Sequence, residues 1–165
     1  MKLKFKLKDV KGYFNCEGLG LTSLEGAPES VGGSFICVEN DLTSLEGAPE
    51  HVGGDFYCYA NKLTSLEGAP KSVKGDFTCI ENKLTSLVGA PEYVGGDFYC
   101  FDNELTSLEG APERVDGDFN CSGNNKLTSL VGAPEYVGGD FVCGEGNFTE
   151  DDVRAVCEVK GDVVV

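Results

Sequence analysis

The chain has no tryptophan, a single methionine (Met1) and a single histidine (His51) among 165 residues. One histidine cannot supply a set of imidazole ligands for a catalytic zinc, and it leaves one candidate for a histidine general base. No uninterrupted apolar run is long enough to cross a bilayer. The opening segment MKLKFKLK alternates charged and apolar residues and lacks the apolar stretch of a secretory signal. A cytoplasmic location is therefore the expectation. Cations are scarce: 13 Lys and Arg face 28 Asp and Glu, for a formal net charge of −15. Nucleic acid and anionic lipid should repel such a chain. Neither direct nucleic-acid binding nor membrane binding is expected, and a protein with a basic surface is the favoured partner. Five of the cations, Lys2, Lys4, Lys6, Lys8 and Lys11, crowd the first eleven residues, a basic edge on an acidic body.

What the chain has in quantity is glycine, 23 residues, and a repeat. Leu-Thr-Ser-Leu begins at Leu21, Leu42, Leu63, Leu84, Leu105 and Leu127, a period of 21 with one extra residue in the last interval, at Asn124–Asn125. The full unit reads L-T-S-L-x-G-A-P-x-x-V-x-G-x-F-x-C-x-x-N-x. A period of this length is the signature of a solenoid, in which each turn is too small to bury its own apolar residues and is stabilised by its neighbours. Phe-x-Cys should be a short strand with Phe and Cys inward, stacked in parallel on its copies about 4.8 Å apart. The Asn that follows should form a buried hydrogen-bond ladder. Pro28, Pro49, Pro70, Pro91, Pro112 and Pro134 favour an extended, polyproline-like back. Gly33, Gly54, Gly75, Gly96, Gly117 and Gly139 are expected at positive φ, turning the chain into the strand. Residues 1–9 read as an N-terminal capping strand, 10–148 as the repeats and 149–165 as a C-terminal cap. In that cap a helix over about 150–157, opened by Thr149-Glu-Asp-Asp152, precedes a strand over 159–165. The whole is one domain.

The segment Phe56, Cys58, Asn61, Leu63, Leu66 resembles the second half of the leucine-rich repeat, L-x-x-L-x-L-x-x-N-x-L. The proline after each second Leu is similar to the short bacterial and phage-type subclass, although Gly-Ala-Pro stands here where that subclass has Leu-Pro. The resemblance covers roughly residues 10–148. It implies a parallel sheet on a concave face and an extended, non-helical convex side. By its company it also implies a bacterial or phage protein, such as an inhibitor or adaptor acting on a host protein.

Catalytic chemistry finds little support. Cys16, Cys37, Cys58, Cys79, Cys100, Cys121 and Cys143 occur once per turn and Cys157 follows in the cap, with no C-x-x-C pair for zinc. They read as a buried column of small thiols. A Ser or Thr repeated six times is structural, because active sites are singular. His51 sits at a variable, surface-type position. The Gly-Gly-Asp runs lack the nine-residue period of calcium-binding rolls. No enzyme activity, metal or cofactor is expected.

Variation between turns is more informative. Residues flanking the inward Phe and Cys should face outward. In turns two to five they read Ile36, Val38, Tyr57, Tyr59, Ile80, Tyr99 and Phe101, whereas the terminal turns carry polar or small residues there. Asp55, Asp76, Asp97, Asp118 and Asp140 form an acidic column on one side. Glu39, Glu81, Asp102 and Glu145 lie on the other. An apolar, aromatic patch with a charged rim is the mark of an interaction site. The expectation is a non-enzymatic, monomeric protein-binding module, with a homodimer seam or simple cross-strand stabilisation as other uses of the patch. Two further readings are an acidic DNA mimic that occupies a nucleic-acid-binding cleft and a structural or self-assembling repeat.

Overall fold

A computed structural model describes residues 8–144 and 146–165. The chain winds as a parallel β-solenoid of about 7 turns. In chain order its elements are β1 (Asp9–Val10), β2 (Phe14–Asn15), β3 (Ser30–Val31), β4 (Phe35–Ile36), β5 (His51–Val52), β6 (Phe56–Tyr57), β7 (Ser72–Val73), β8 (Phe77–Thr78), β9 (Tyr93–Val94), β10 (Phe98–Tyr99), β11 (Arg114–Val115), β12 (Phe119–Asn120), β13 (Tyr136–Val137), β14 (Phe141–Val142), α1 (Glu150–Arg154), β15 (Glu158–Val159) and β16 (Val163–Val164). Odd-numbered strands form one 8-stranded parallel sheet and even-numbered strands another. We call them the valine sheet and the phenylalanine sheet. Register is one repeat per step, so Phe98 pairs with Phe119 and Val94 with Val115. No helix among the described residues is long and apolar enough to cross a membrane.

The valine sheet is a departure from the sequence expectation of one strand per turn. Each x-Val pair is too short to show a period of its own. Its backbone is nonetheless laddered: Gly53 N–H donates to Val31 C=O at 2.9 Å and Glu50 N–H to Glu29 C=O at 3.0 Å. The prolines precede these strands and are buried, so their missing N–H falls outside the ladder.

Both sheets turn one residue type inward. Phe35, Phe56, Phe77, Phe98, Phe119 and Phe141 are fully buried, as are most of the Leu, Val and Cys columns. The Phe rings stack along the axis, with centroids 5.2 Å apart at Phe56–Phe77 and 5.4 Å at Phe77–Phe98. Offset parallel stacking of this kind adds about 0.5–1.5 kcal/mol per pair beyond burial.

The asparagine ladder fixes the corner after the phenylalanine sheet. Asn61 Nδ2 donates to Cys37 C=O of the preceding coil at 3.0 Å and to Cys58 C=O of its own at 3.2 Å. Its Oδ1 accepts Leu42 N–H at 3.0 Å. Asn40, Asn82, Asn103 and Asn124 repeat the pattern. The inserted residue of the last interval is therefore Asn125, since Asn124 keeps the ladder.

Glycine does a different job from the one expected. Gly33, Gly54 and their equivalents are not at positive φ. They are required because the coils approach closely: a Cβ on Gly54 would stand 2.9 Å from the Gly33 carbonyl carbon. Positive φ belongs instead to the Gly of Gly-Ala-Pro, as at Gly47 (φ 88) and Gly68 (φ 92). It belongs also to the residue just before each ladder Asn. That residue is Glu39, Ala60, Glu81 and Asp102 in coils two to five, with φ of 52 to 54, and Gly123 in coil six; the equivalent in coil one is Gly18, where Leu19 stands in place of the Asn.

The capping strand expected over residues 1–9 lies almost wholly outside the described residues. Asp9 belongs instead to the first strand of the valine sheet. At the other end Thr149 caps α1 by accepting Asp152 N–H at 3.2 Å, and Asp152 Oδ2 accepts Thr149 N–H at 2.9 Å. The helix is shorter than expected, because the chain turns at Ala155–Val156 to bury Cys157 and re-enter the valine sheet. The single strand expected over 159–165 is an eighth level of the solenoid. Glu158-Val-Lys-Gly-Asp-Val-Val164 pairs in register with Tyr136-Val-Gly-Gly-Asp-Phe-Val142.

Asn82→Ala strands Leu63 N–H in the interior and takes one of the two asparagine donors from each of the Cys58 and Cys79 carbonyls, which keep Asn61 and Asn103. Denaturant unfolding should show a loss of about 3 kcal/mol, and a loss below about 1 would contradict the ladder's role. Ala60→Gly relieves a left-handed alanine and should raise stability by about 1 kcal/mol in the same assay.

Candidate interaction face

Three outward columns run along the phenylalanine sheet. The first begins at Ser34 and continues through Asp55, Asp76, Asp97, Asp118, Asp140 and Asp162. Ser34 Oγ accepts Asp55 N–H at 3.2 Å and donates to Asp55 Oδ2 at 3.1 Å. From there each Oδ1 accepts the N–H of the Asp one coil further on, at 3.0 Å from Asp76 to Asp55 and 2.8 Å from Asp162 to Asp140. The column read from sequence as a charged rim is thus also a hydrogen-bond ladder. The sequence signal for it was the presence of Asp162 and the hydroxyl of Ser34 in the same register.

The second column reads Ile36, Tyr57, Thr78, Tyr99, Asn120, Val142. Ile36, Tyr57 and Tyr99 are half-buried, and Thr78 between the tyrosines is 7% exposed. Tyr99 donates its hydroxyl to Asp97 Oδ2 at 2.7 Å. Desolvation, with a hydrogen bond to Asp55 and the charges of Asp55 and Asp76, pushes the Tyr57 phenol up to about 12. Burial and Asp97 raise Tyr99 likewise. Tyrosines and aspartates therefore form one connected surface rather than a patch and a separate rim.

The third column follows Cys. Tyr59, Ile80 and Phe101 are half-buried, and the Phe101 ring lies 6.2 Å from that of Tyr99 at 58°. Val38 departs from the expected outward display: at 1% exposure it belongs to the interior and offers no contact surface. Glu39, Glu81 and Asp102 are exposed at the left-handed corner beyond this column. Glu145 lies outside the described residues.

The cysteines of the column are unbridged, and all but the half-buried Cys143 are buried. Its thiols point at carbonyls of the next coil, Cys16 Sγ to Ile36 O at 3.3 Å and Cys37 Sγ to Tyr57 O at 3.4 Å. Burial pushes Cys16 to about 12, and Cys37, Cys58 and Cys100 well above the ordinary thiol range. Such thiols are not thiolate nucleophiles at neutral pH. His51 is exposed on the outer face of the valine sheet. Among the described residues no group of three or more His, Cys, Asp or Glu could hold a metal ion.

Sequence reasoning missed the outer face of the valine sheet, because the second sheet itself was missed. At its C-terminal end the Arg114 guanidinium lies 4.0 Å over the Tyr136 ring and bonds Asp116 at 2.6 Å, while the Tyr93 hydroxyl donates to Asp116 at 2.7 Å.

Ultraviolet titration should find Tyr57 still un-ionised at pH values where an ordinary tyrosine has lost its proton, and Asp55→Asn should bring its ionisation down by removing the neighbouring charge. A thiol raised in the folded state contributes stability that is complete below its unfolded value, near 9, and lost as pH climbs through the folded one. Alkaline unfolding should therefore set in between pH 9 and 12, and a flat stability profile across that window would contradict the buried-column assignment.

Comparison with protein-family models, with curated proteins and with solved structures finds no match to this chain.

Proposed function

We propose that this chain is a non-enzymatic protein-binding module of leucine-rich-repeat type, with the phenylalanine sheet as its concave, partner-facing side. The observation that carries the reading is a coincidence of three columns. In coils two to five the outward positions carry Ile36, Tyr57, Tyr59, Ile80, Tyr99 and Phe101, with Thr78 the polar exception. In the same coils the residue before the ladder Asn is Glu39, Ala60, Glu81 or Asp102 in a left-handed conformation. Coils one and six have polar residues and glycine at these places (Asn15, Glu17, Gly18; Asn120, Ser122, Gly123). Left-handed backbone at a non-glycine residue costs about 1–2 kcal/mol. Backbone strain that gathers beside an aromatic surface is the pattern of a selected site rather than of packing alone. Tyr57, Tyr59, Ile80, Tyr99 and Phe101, with Ile36, would form the contact. Glu39, Glu81 and Asp102 would steer a basic partner onto it, together with the aspartate column. Action on a host protein by a phage or mobile element belongs to the same reading, through the family resemblance.

A second reading, mimicry of nucleic acid, rests on the straight, regularly spaced aspartate column. Salt separates the two, since a phosphate-like contact collapses as ionic strength rises and an aromatic one does not.

The test compares capture of partners by wild type and by Tyr57→Ala/Tyr59→Ala/Tyr99→Ala/Phe101→Ala, with circular dichroism to show both folded. A partner held at high salt by wild type and lost at least tenfold by the variant is the expected result. Equal retention would remove the aromatic face from the proposal, and retention that vanishes with salt in both proteins would favour mimicry.

A further inference from the structure

The eighth level leaves a sheet edge, and one side chain occupies it. In the levels below it, two carbonyls of the valine sheet accept N–H groups from the next coil, as at Val10 and Gly12, Val31 and Gly33, and Val94 and Gly96. Val115 C=O takes Gly138 N–H at 2.9 Å and Gly117 C=O takes Gly139 N–H at 2.9 Å. One level up, Val137 and Gly139 take Lys160 and Gly161, each at 3.0 Å. In the last level the equivalent carbonyls belong to Val159 and Gly161. Both are taken by Arg154: Nη1 donates to Val159 O at 3.0 Å and Nη2 to Gly161 O at 3.2 Å. Its Nε donates to Glu150 Oε1 at 2.7 Å, one helical turn back, which orients the fork. The planar guanidinium thus stands where two backbone N–H groups of a further coil would stand.

A further coil of matching register exists in a second copy. Asp9-Val-Lys-Gly-Tyr-Phe-Asn15 of the first level follows the same pattern as the last, and it pairs with the second level as any other coil does. Docked on the last level, its Lys11 and Gly12 N–H groups would meet Val159 and Gly161 C=O. Its Tyr13 N–H would meet Asp162 Oδ1 and extend the aspartate ladder. The first level carries exposed Lys8 and Lys11 beside Asp9, and the last carries exposed Asp162 and Asp151, with Glu158 paired to Lys160, so the unpaired charges of the two ends are of opposite sign.

We propose that the eighth-level edge is a docking surface for the first coil of a second copy, and that Arg154 holds it shut. The inference is independent of the aromatic face. Unpaired parallel edges of this kind template strand addition unless something covers them.

The experiment measures molar mass by light scattering across a hundredfold concentration range. Wild type should hold a constant monomer mass. Arg154→Ala should show a mass that rises with concentration. Adding Lys11→Pro, which deletes one of the three N–H donors, should return the double variant to monomer. Glu150→Ala frees the guanidinium without removing it and should give a weaker rise, which keeps the question open to test if Arg154→Ala alone folds poorly. A flat monomer mass for both Arg154→Ala and Glu150→Ala would overturn the proposal. So would a wild type that already assembles, or assembly that Lys11→Pro leaves untouched.

Discussion

Everything outward-facing in this molecule depends on the register between coils, and the buried asparagine is what holds that register. A coil of 21 residues has too little apolar surface to be stable alone. Apolar stacking by itself tolerates sliding, because one Phe packs on another at many offsets. The asparagine does not. Its amide joins a carbonyl of the preceding coil to carbonyls of its own, while its oxygen takes a leucine N–H of the preceding coil. A slip of one residue would leave all of these groups unpaired in the interior, at about 1–3 kcal/mol each.

That ladder also imposes the left-handed corner. To bring the asparagine inward immediately after the strand, the chain must reverse within one residue, and the residue before each ladder asparagine has positive φ in coils two to six. Glycine would serve best everywhere, yet among these five positions it appears only at Gly123. At the corner before the phenylalanine sheet the coils approach so closely, at Gly33 and Gly54, that glycine there is needed for space rather than for conformation.

The parallel-solenoid architecture and the inward Phe and Cys columns were legible in the sequence, because six near-copies compare themselves: identity marks packing and variation marks surface. The second sheet was not legible, since its strands are two residues long and carry one inward Val, below any readable period. The eighth level was hidden because Val163 and Val165 replace the Phe and Cys that mark the other coils, and α1 replaces the Leu-Thr-Ser-Leu segment. Of the candidate face, the aromatic positions fell where alternation put them, except Val38. Alternation gives direction, not depth, and Val38 is covered. The linkage of Asp97 to Tyr99 depends on side-chain reach along a strand, which spacing alone does not resolve.

The two acidic columns then differ in kind. Like charges stacked about 4.8 Å apart repel, and the ion pairs that could offset this, such as Lys62–Asp41 and Lys126–Glu104, are exposed and worth little. The aspartate column is tolerated because each carboxylate accepts a backbone N–H from the next coil, a charge-assisted bond that needs an acid or its like at every level. Packing therefore accounts for those aspartates whether or not anything binds. It does not account for Glu39, Glu81 and Asp102, which stand where the backbone favours glycine and where no ladder calls for a carboxylate. On the binding reading, the acids that oppose the local backbone preference, rather than those that serve it, are the ones whose charge a partner would have selected.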